Sequence, residues 1–171
     1  HPSGIDNNVI TYRKPVYFLR NEPIEFLDVN QPTHWLIADS GEKTPTIETV
    51  SDVHKKQKAD PQHFDEIFSQ IGRITRLARN ALIDGNVPLL GQLMNDNQQL
   101  LQAIDVSSPI LEKLIRAAKN AGAPGAKLSG GGRGGNIIAL AAPSQIETVK
   151  SALADAGAVN VISTMLSKES E

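Results

Sequence analysis

GAKLSGGGRGGNIIAL, residues 125–140, is the stretch that decides how this chain is organised. Five of the six residues from Gly130 to Gly135, hereafter the glycine loop, are glycine. Glycine loses more entropy on folding than other residues, so such a run indicates backbone that approaches another group closely. Successive bare N–H groups can form a concavity for an anion, and Arg133 and Lys127 add positive charge suited to phosphate or carboxylate. The run therefore predicts a loop that handles phosphate.

The position of the glycine loop, after a helix and before a strand, excludes the two best-known phosphate motifs. Gly130, Gly132 and Gly135 satisfy G-x-G-x-x-G, but a dinucleotide site needs the strand first and the helix second. The Walker motif ends in Gly-Lys-Ser/Thr, whereas Lys127 precedes the glycines here. A flexible turn is the remaining alternative, and it is disfavoured because a hairpin turn needs only one or two glycines.

Apolar runs on both sides of the loop predict strands. Residues 137–142 form a continuous apolar run, and residues 159–166 and 34–38 form two more. Shorter apolar pieces at 16–19 and 24–27 predict a small meander. The strands are separated by long segments with helical spacing.

In those segments apolar residues recur every three or four positions, which is typical of helices with one buried face. Three predicted helix starts place a capping residue before proline, at Thr44-Pro45, Asp60-Pro61 and Ser108-Pro109. Ser144 and Glu147 predict a capping box for another helix. This order of elements predicts an α+β domain whose sheet is antiparallel or mixed, with helices on one face.

Composition narrows the classes of function. The chain has 171 residues, which suits one domain with a sizeable core, and it has no cysteine, which excludes disulfides, thiolate metal sites and cysteine nucleophiles. A net charge of −2 without a Lys/Arg cluster indicates no nucleic-acid or membrane partner. No apolar run approaches the ~20 residues that span a bilayer. His34, His54 and His63 lack the spacing of metal ligands, so no metal site is expected.

Two segments carry a resemblance to a known family. Residues 125–140 closely resemble the third motif of the GHMP small-molecule kinases, and residues 2–7 (PSGIDN) resemble a segment of the mevalonate kinases within that superfamily. Residues 37–50 and 91–98 are similar to the family as well. The likeness covers nearly the whole chain, but only the C-terminal half of the family.

The resemblance implies the domain and its fold. Residues 1–171 would form a GHMP kinase C-terminal domain with a ferredoxin-like antiparallel sheet and helices packed on one face. The family's N-terminal half, with its main nucleotide loop and its magnesium-binding carboxylate, is absent from this sequence.

The resemblance also implies roles for individual residues. Asp6 matches the family's catalytic aspartate, which orients or deprotonates the attacking hydroxyl, and Ser3 and Gly4 would shape the turn that presents it. Phosphoryl transfer depends on positioning and on one carboxylate near the nucleophile. Ser40 and Thr46 match substrate-side hydroxyls. From the residues alone, Asp6, Ser40 and Thr46 are more often turn or helix caps.

The loop would approach the phosphates or an acidic substrate and brace the missing nucleotide loop. Its implied residues are Ser129, Gly130, Gly131, Gly132, Arg133, Gly134 and Gly135. Arg133 replaces a glycine that is commoner in the family. Two roles stay open for it: contact with a substrate phosphate or carboxylate, or an ion pair with a neighbouring side chain.

Finally, the resemblance implies a reaction. The complete protein would transfer the γ-phosphate of ATP to mevalonate or a similar small acidic alcohol, in cytoplasmic synthesis of isoprenoid precursors. ATP and Mg²⁺ would bind mainly to the missing half, the chain alone would be inactive, and a homodimer would be compatible with the family. Two alternatives stay open: another GHMP member, such as a phosphomevalonate kinase, sugar kinase or decarboxylase, and a non-catalytic binding module of the same fold.

Overall fold

The computed structural model describes residues 15–19 and 21–167 of the chain. Three strands are followed by four helices, two strands, one more helix and a last strand. In chain order they are β1 (Val16–Tyr17), β2 (Glu25–Phe26), β3 (Thr33–Asp39), α1 (Thr46–Ala59), α2 (Pro61–Asp84), α3 (Val87–Ala103), α4 (Pro109–Asn120), β4 (Ala126–Ser129), β5 (Asn136–Ala141), a 3-10 turn (Pro143–Gln145), α5 (Ile146–Asp155) and β6 (Asn160–Leu166).

Four of the strands form one antiparallel sheet in the order β4-β5-β3-β6. The central pair, β3 and β5, runs in register from His34↔Ala141 to Asp39↔Asn136. Helices connect β3 to β4 and β5 to β6, so the sheet has the ferredoxin-like arrangement. β1 and β2 form a separate antiparallel pair. The α+β class is confirmed, and the sheet is antiparallel rather than mixed.

Successive side chains of each strand point to opposite faces of the sheet, and apolar side chains lie on both faces. On one face, Leu36 and Ile137 are fully buried in a core shared with Leu114 of α4 and Leu153 of α5. The other face packs against the α2–α3 pair through Leu140, which is 1% exposed, together with Trp35, Ile138, Ala81, Leu90, Leu93 and Met94. Burial on this scale is the main stabilising term of such a fold. Helices α4 and α5 thus lie on one face, as expected, and α2 and α3 reach round to the other.

Helix α2 begins and ends where the sequence predicts. Asp60 caps it, its Oδ1 accepting a hydrogen bond from the N–H of His63 at 3.2 Å, and Pro61 takes the first helical position. Gly85 ends it in the left-handed conformation, with φ of 68°. No described helix is long and apolar enough to cross a membrane.

Two other predicted caps are wrong. The Thr44 hydroxyl does not cap α1; it donates to the carbonyl oxygen of Arg133 at 2.8 Å, and α1 begins at Thr46 without a side-chain cap. The Ser144–Glu147 capping box does not form, because a 3-10 turn intervenes and α5 begins at Ile146. Ser108 precedes α4 as predicted but makes no capping hydrogen bond. Tertiary contacts and a neighbouring turn override these local signals.

Helix α3 covers the outer edge of β4. The outward N–H groups of Ala126 and Leu128 donate to Oδ1 of Asn95 at 3.3 Å and to Oε1 of Gln98 at 2.9 Å. An exposed strand edge is a template for unwanted pairing. The two amides, three residues apart on one helix face, satisfy that edge beside the start of the glycine loop.

Candidate functional site

The glycine loop joins β4 to β5 and packs against the segment that leads from β3 into α1. The N–H of Ser40 donates to the carbonyl of Gly135 at 2.9 Å, and the N–H of Gly135 donates to the carbonyl of Glu42 at 2.8 Å. The Thr44 hydroxyl adds its bond to Arg133. Two predicted parts of the site, the loop and Ser40, therefore lie side by side.

The connector between α3 and α4 packs against the loop from another direction. The N–H of Arg133 donates to the carbonyl of Val106 at 2.7 Å. A β-carbon added to Gly132 would lie 2.1 Å from that same carbonyl oxygen, and Gly132 has φ of +82°. Only glycine satisfies both conditions, so the backbone conformation and the contact with Val106 are enough to explain glycine at this position.

The two substrate-side candidates differ in their surroundings. Ser40 is buried, 6% exposed, and its Oγ accepts a hydrogen bond from the N–H of Glu42 at 3.3 Å, which is a turn-stabilising role. Thr46, the exposed first residue of α1, meets the loop directly: a β-carbon on Gly131 would lie 2.6 Å from its Oγ1. The Thr46 hydroxyl thus stands at the surface of the loop.

One side of the loop is open. β-carbons built on Gly130 and Gly135 would meet no atom of the described residues within 4 Å. The N–H groups of Gly130 and Gly131 donate no hydrogen bond to any residue in the described part of the chain. Bare N–H groups of this kind, beside the Thr46 hydroxyl, can bind an anionic group.

Arg133 makes ion pairs within the protein, which is one of the two roles left open by the sequence. Its Nη1 donates to Oδ2 of Asp52 at 2.7 Å, and its Nε donates to the carbonyl oxygen of Asp105 at 3.0 Å. Its Nη2 also lies 3.4 Å from Oδ2 of Asp105. Sequence reasoning missed both partners, which are 81 and 28 residues away from Arg133.

Lysines complete this charge cluster. Lys56 donates to Oδ2 of Asp105 at 2.7 Å, and its hydrogen bond is the main reason that the pKa of Asp105 is lowered. The pKa of Asp52 is lowered first by the hydrogen bond from Arg133 and then by that from Lys55. Asp52 in turn raises the pKa of Arg133. Both carboxylates are therefore ionised, and both are paired, at neutral pH.

The ammonium group of Lys127 is hydrogen-bonded within its own strand. Its Nζ donates to the carbonyl oxygen of Leu128 at 2.6 Å, and it pairs with Ile138 in the sheet. Burial lowers the pKa of Lys127 to about 8. Because burial disfavours the charged ammonium group, we expect Lys127 to lower the stability of the fold rather than to bind an anion.

Some predictions fall where the structure gives no test. Ser3, Gly4 and Asp6 lie outside the described residues.

Within residues 15–19 and 21–167, no group of three or more His, Cys, Asp or Glu side chains could hold a metal ion.

Comparison with known proteins assigns the family. Residues 78–159 match the family model for the C-terminal part of the GHMP kinases. The chain is 34% identical to a mevalonate kinase of Thermococcus sibiricus and 33% identical to one of Pyrococcus horikoshii; each alignment covers 98% of this chain and 50% of the relative. A crystal structure of L. major mevalonate kinase in complex with R-mevalonate superposes with a TM-score of 0.93 and 32% identity, over 100% of this chain and 54% of that one.

The chain belongs to the GHMP kinase superfamily and carries its C-terminal domain. It spans about half the length of the curated relatives it matches. The ferredoxin-like sheet and the loop between β4 and β5 are therefore parts of this kinase domain.

Proposed function

We propose that residues 1–171 form the C-terminal half of a mevalonate kinase, which transfers the γ-phosphoryl group of ATP to a hydroxyl of mevalonate. The observation that carries the proposal is the match to the L. major enzyme, solved with R-mevalonate, over the full length of this chain. Curated relatives with the same name support the same substrate.

The geometry of the loop supports a binding role in this reaction. The N–H groups of Gly130 and Gly131 donate to none of the described residues, Thr46 lies against Gly131, and the space beside Gly130 and Gly135 is open among the described residues. Backbone N–H donors fixed in position stabilise negative charge without reorganising. In our proposal they bind a phosphate oxygen or the carboxylate of the substrate, and Ser129 and Gly134 keep the ends of the loop in place.

Asp6 is the proposed catalytic residue, and Ser3 and Gly4 shape the turn that presents it. A carboxylate near the attacking hydroxyl can orient it and accept its proton during phosphoryl transfer. ATP supplies the transferred group. Following the family resemblance, we assign Mg²⁺ and most contacts to ATP to the half of the relatives that this chain does not cover.

A coupled assay of the full-length protein tests the proposal. We expect ATP-dependent turnover with mevalonate and much less with phosphomevalonate, with other acidic alcohols, or with a neutral sugar such as galactose. Preference for one of those acceptors would assign another GHMP activity, and no turnover with any acceptor would favour a binding module. The 171-residue chain alone should be inactive with mevalonate, and measurable turnover by it would contradict the assignment of ATP binding.

Substitution of Asp6 tests its role. Asp6→Asn in the full-length protein should lower kcat by roughly 100-fold or more, the range of general-base effects, with little change in the KM for ATP. Asp155→Asn, at an exposed carboxylate of α5, is the matched control and should leave both unchanged. Near-normal turnover of Asp6→Asn would remove Asp6 from the mechanism.

A further inference from the structure

We propose that Arg133 is a positioning residue that clamps the glycine loop to helix α1 and to the α3–α4 connector, so that the two walls of the site keep a fixed separation. The proposal rests on the function proposed above, since the loop and the first turn of α1 are the walls concerned. Arg133 acts through the loop backbone and does not touch the substrate.

The backbone of Arg133 is already held on both sides. It has φ of +56°, in the left-handed region that a residue with a side chain rarely adopts. Its N–H is bonded to Val106 and its carbonyl oxygen accepts from Thr44. A conformation that costs about 1–2 kcal/mol persists only where the surroundings determine it. The loop therefore takes one defined shape at this residue.

The side chain of Arg133 extends that constraint to α1. Asp52, which binds Nη1, lies six residues after Thr46 on the same helix. Since a helix is a rigid rod over this length, holding Asp52 also sets the distance from Thr46 to Gly131. The ion pair thus controls the place where the open N–H groups meet the Thr46 hydroxyl.

A third contact closes the cluster into a triangle. Arg133 binds both the carbonyl and the carboxylate of Asp105 in the connector, and Lys56 binds that carboxylate from α1. Helix, connector and loop are therefore each joined to the other two. A single exposed ion pair contributes little, but a network of several charges with defined geometry contributes more.

The same contacts argue against direct binding of substrate by Arg133. Nε, Nη1 and Nη2 all have protein partners, and the side chain is 26% exposed. Two carboxylates, of Asp52 and Asp105, lie against the guanidinium, and they would repel an anionic group at that place. A phosphate would find its donors on the backbone of the loop instead.

A double-mutant cycle in the full-length protein tests the clamp. Arg133→Gly removes the side chain and tolerates the positive φ, and Asp52→Asn removes one partner while keeping Arg133. We expect Arg133→Gly to raise the KM for mevalonate or lower kcat by about ten-fold, which is less than the roughly 100-fold that a full 1 Å misplacement can cost. Asp52→Asn should act in the same direction, and the double variant should be no worse than Arg133→Gly. Arg133→Lys should restore part of the loss, and Asp155→Asn serves as control.

The opposite pattern would overturn the proposal. If Arg133 bound substrate directly, Asp52→Asn would leave the KM unchanged or lower it, and the two effects would be additive. Amide hydrogen exchange of residues 130–135 gives a readout independent of activity: both single variants should accelerate it, and unchanged exchange would exclude the clamp. If the wild-type full-length protein had no kinase activity, the proposed function would be wrong. The clamp would still be tested by the exchange experiment, which does not depend on activity.

Discussion

The side-chain oxygen Oε1 of Gln98 accepts a hydrogen bond from the backbone N–H of Leu128 at 2.9 Å, so that helix α3 completes the edge of the sheet two residues before the glycine loop. The other end of the same amide, Nε2, donates to Oγ of Ser107 at 3.0 Å and to Oε1 of Glu112 at 2.7 Å. One buried side chain, 4% exposed, thus joins α3, β4 and α4.

Replacing Gln98 should be costly for stability. Gln98→Leu keeps the approximate size but leaves the N–H of Leu128 without its partner. Ser107 and Glu112 stay hydrogen-bonded to each other, but each loses its bond from Gln98. Unsatisfied buried groups cost about 1–3 kcal/mol each, so we expect the free energy of unfolding to fall by about 2–3 kcal/mol in urea titration. The neighbouring exposed Gln99→Leu is the control and should change it by less than about 0.5 kcal/mol. Equal stability of the two variants would show that the edge bond contributes nothing.

Alanine at the two helical glycines should have opposite effects. A β-carbon on Gly91 would lie 2.7 Å from the backbone carbon and oxygen of Pro124, so Gly91→Ala must displace α3 from the connector between α4 and β4. We expect a loss of about 2 kcal/mol, typical of overpacking. In Gly72→Ala the nearest atom is the flexible end of Arg76 at 3.7 Å, and the better helix propensity of alanine should stabilise by about 0.5–1 kcal/mol. Thermal unfolding of both variants checks the signs, and stabilisation by Gly91→Ala would refute the close approach of α3 to Pro124.

Two glycines of the loop separate backbone strain from steric overlap. Both Gly132 and Gly135 have positive φ, but only Gly132 would place a β-carbon against a carbonyl, that of Val106. Gly135→Ala should cost about 1–2 kcal/mol from the dihedral angle, and Gly132→Ala about 3 kcal/mol or more because overlap is added. The difference in chemical-denaturation free energies between the two measures the contact with Val106. A similar cost for both would mean that the connector is not in contact with the loop.

Lys127 should make the unfolding free energy depend on pH in the alkaline range. Its pKa is lowered to about 8 by burial, from an ordinary value of 10.5. Between these values the unfolded chain binds the proton that the folded chain releases, so stability rises with pH from about 8 to about 10.5 and the burial cost is fully present below 8. Lys127→Met removes the charge and should stabilise the protein at pH 7 by about 1–2 kcal/mol after loss of the bond to Leu128.

The check is denaturant unfolding of both proteins from pH 7 to pH 10. The advantage of Lys127→Met over the wild type should shrink as pH rises. If the difference stayed constant across that range, or if the variant were destabilised at pH 7, then burial of the Lys127 ammonium group would not destabilise the folded protein. Arg116→Met, at an exposed cation of α4, controls for the loss of a positive charge.

Local patterns predicted most of the elements. The apolar runs at 34–38, 137–142 and 159–166 correspond to β3, β5 and β6 within a residue, and Asp60 and Gly85 mark the ends of α2. These signals depend on side-chain periodicity and backbone conformation, which neighbouring residues determine. They failed where a distant group competed for the same side chain, as Arg133 does for the Thr44 hydroxyl.

The candidate site also has features that the sequence predicted and features that depend on tertiary contacts. By itself, the sequence determined that residues 130–135 must take a glycine-dependent loop conformation and that the chain resembles a GHMP kinase C-terminal domain. Only the tertiary structure decided which groups Arg133 contacts. A guanidinium can bind a phosphate or a carboxylate equally well, and its partner depends on which charges the fold brings within reach. Here Asp52 and Asp105, far apart in the chain, meet it because β4, α1 and the α3–α4 connector converge at the loop.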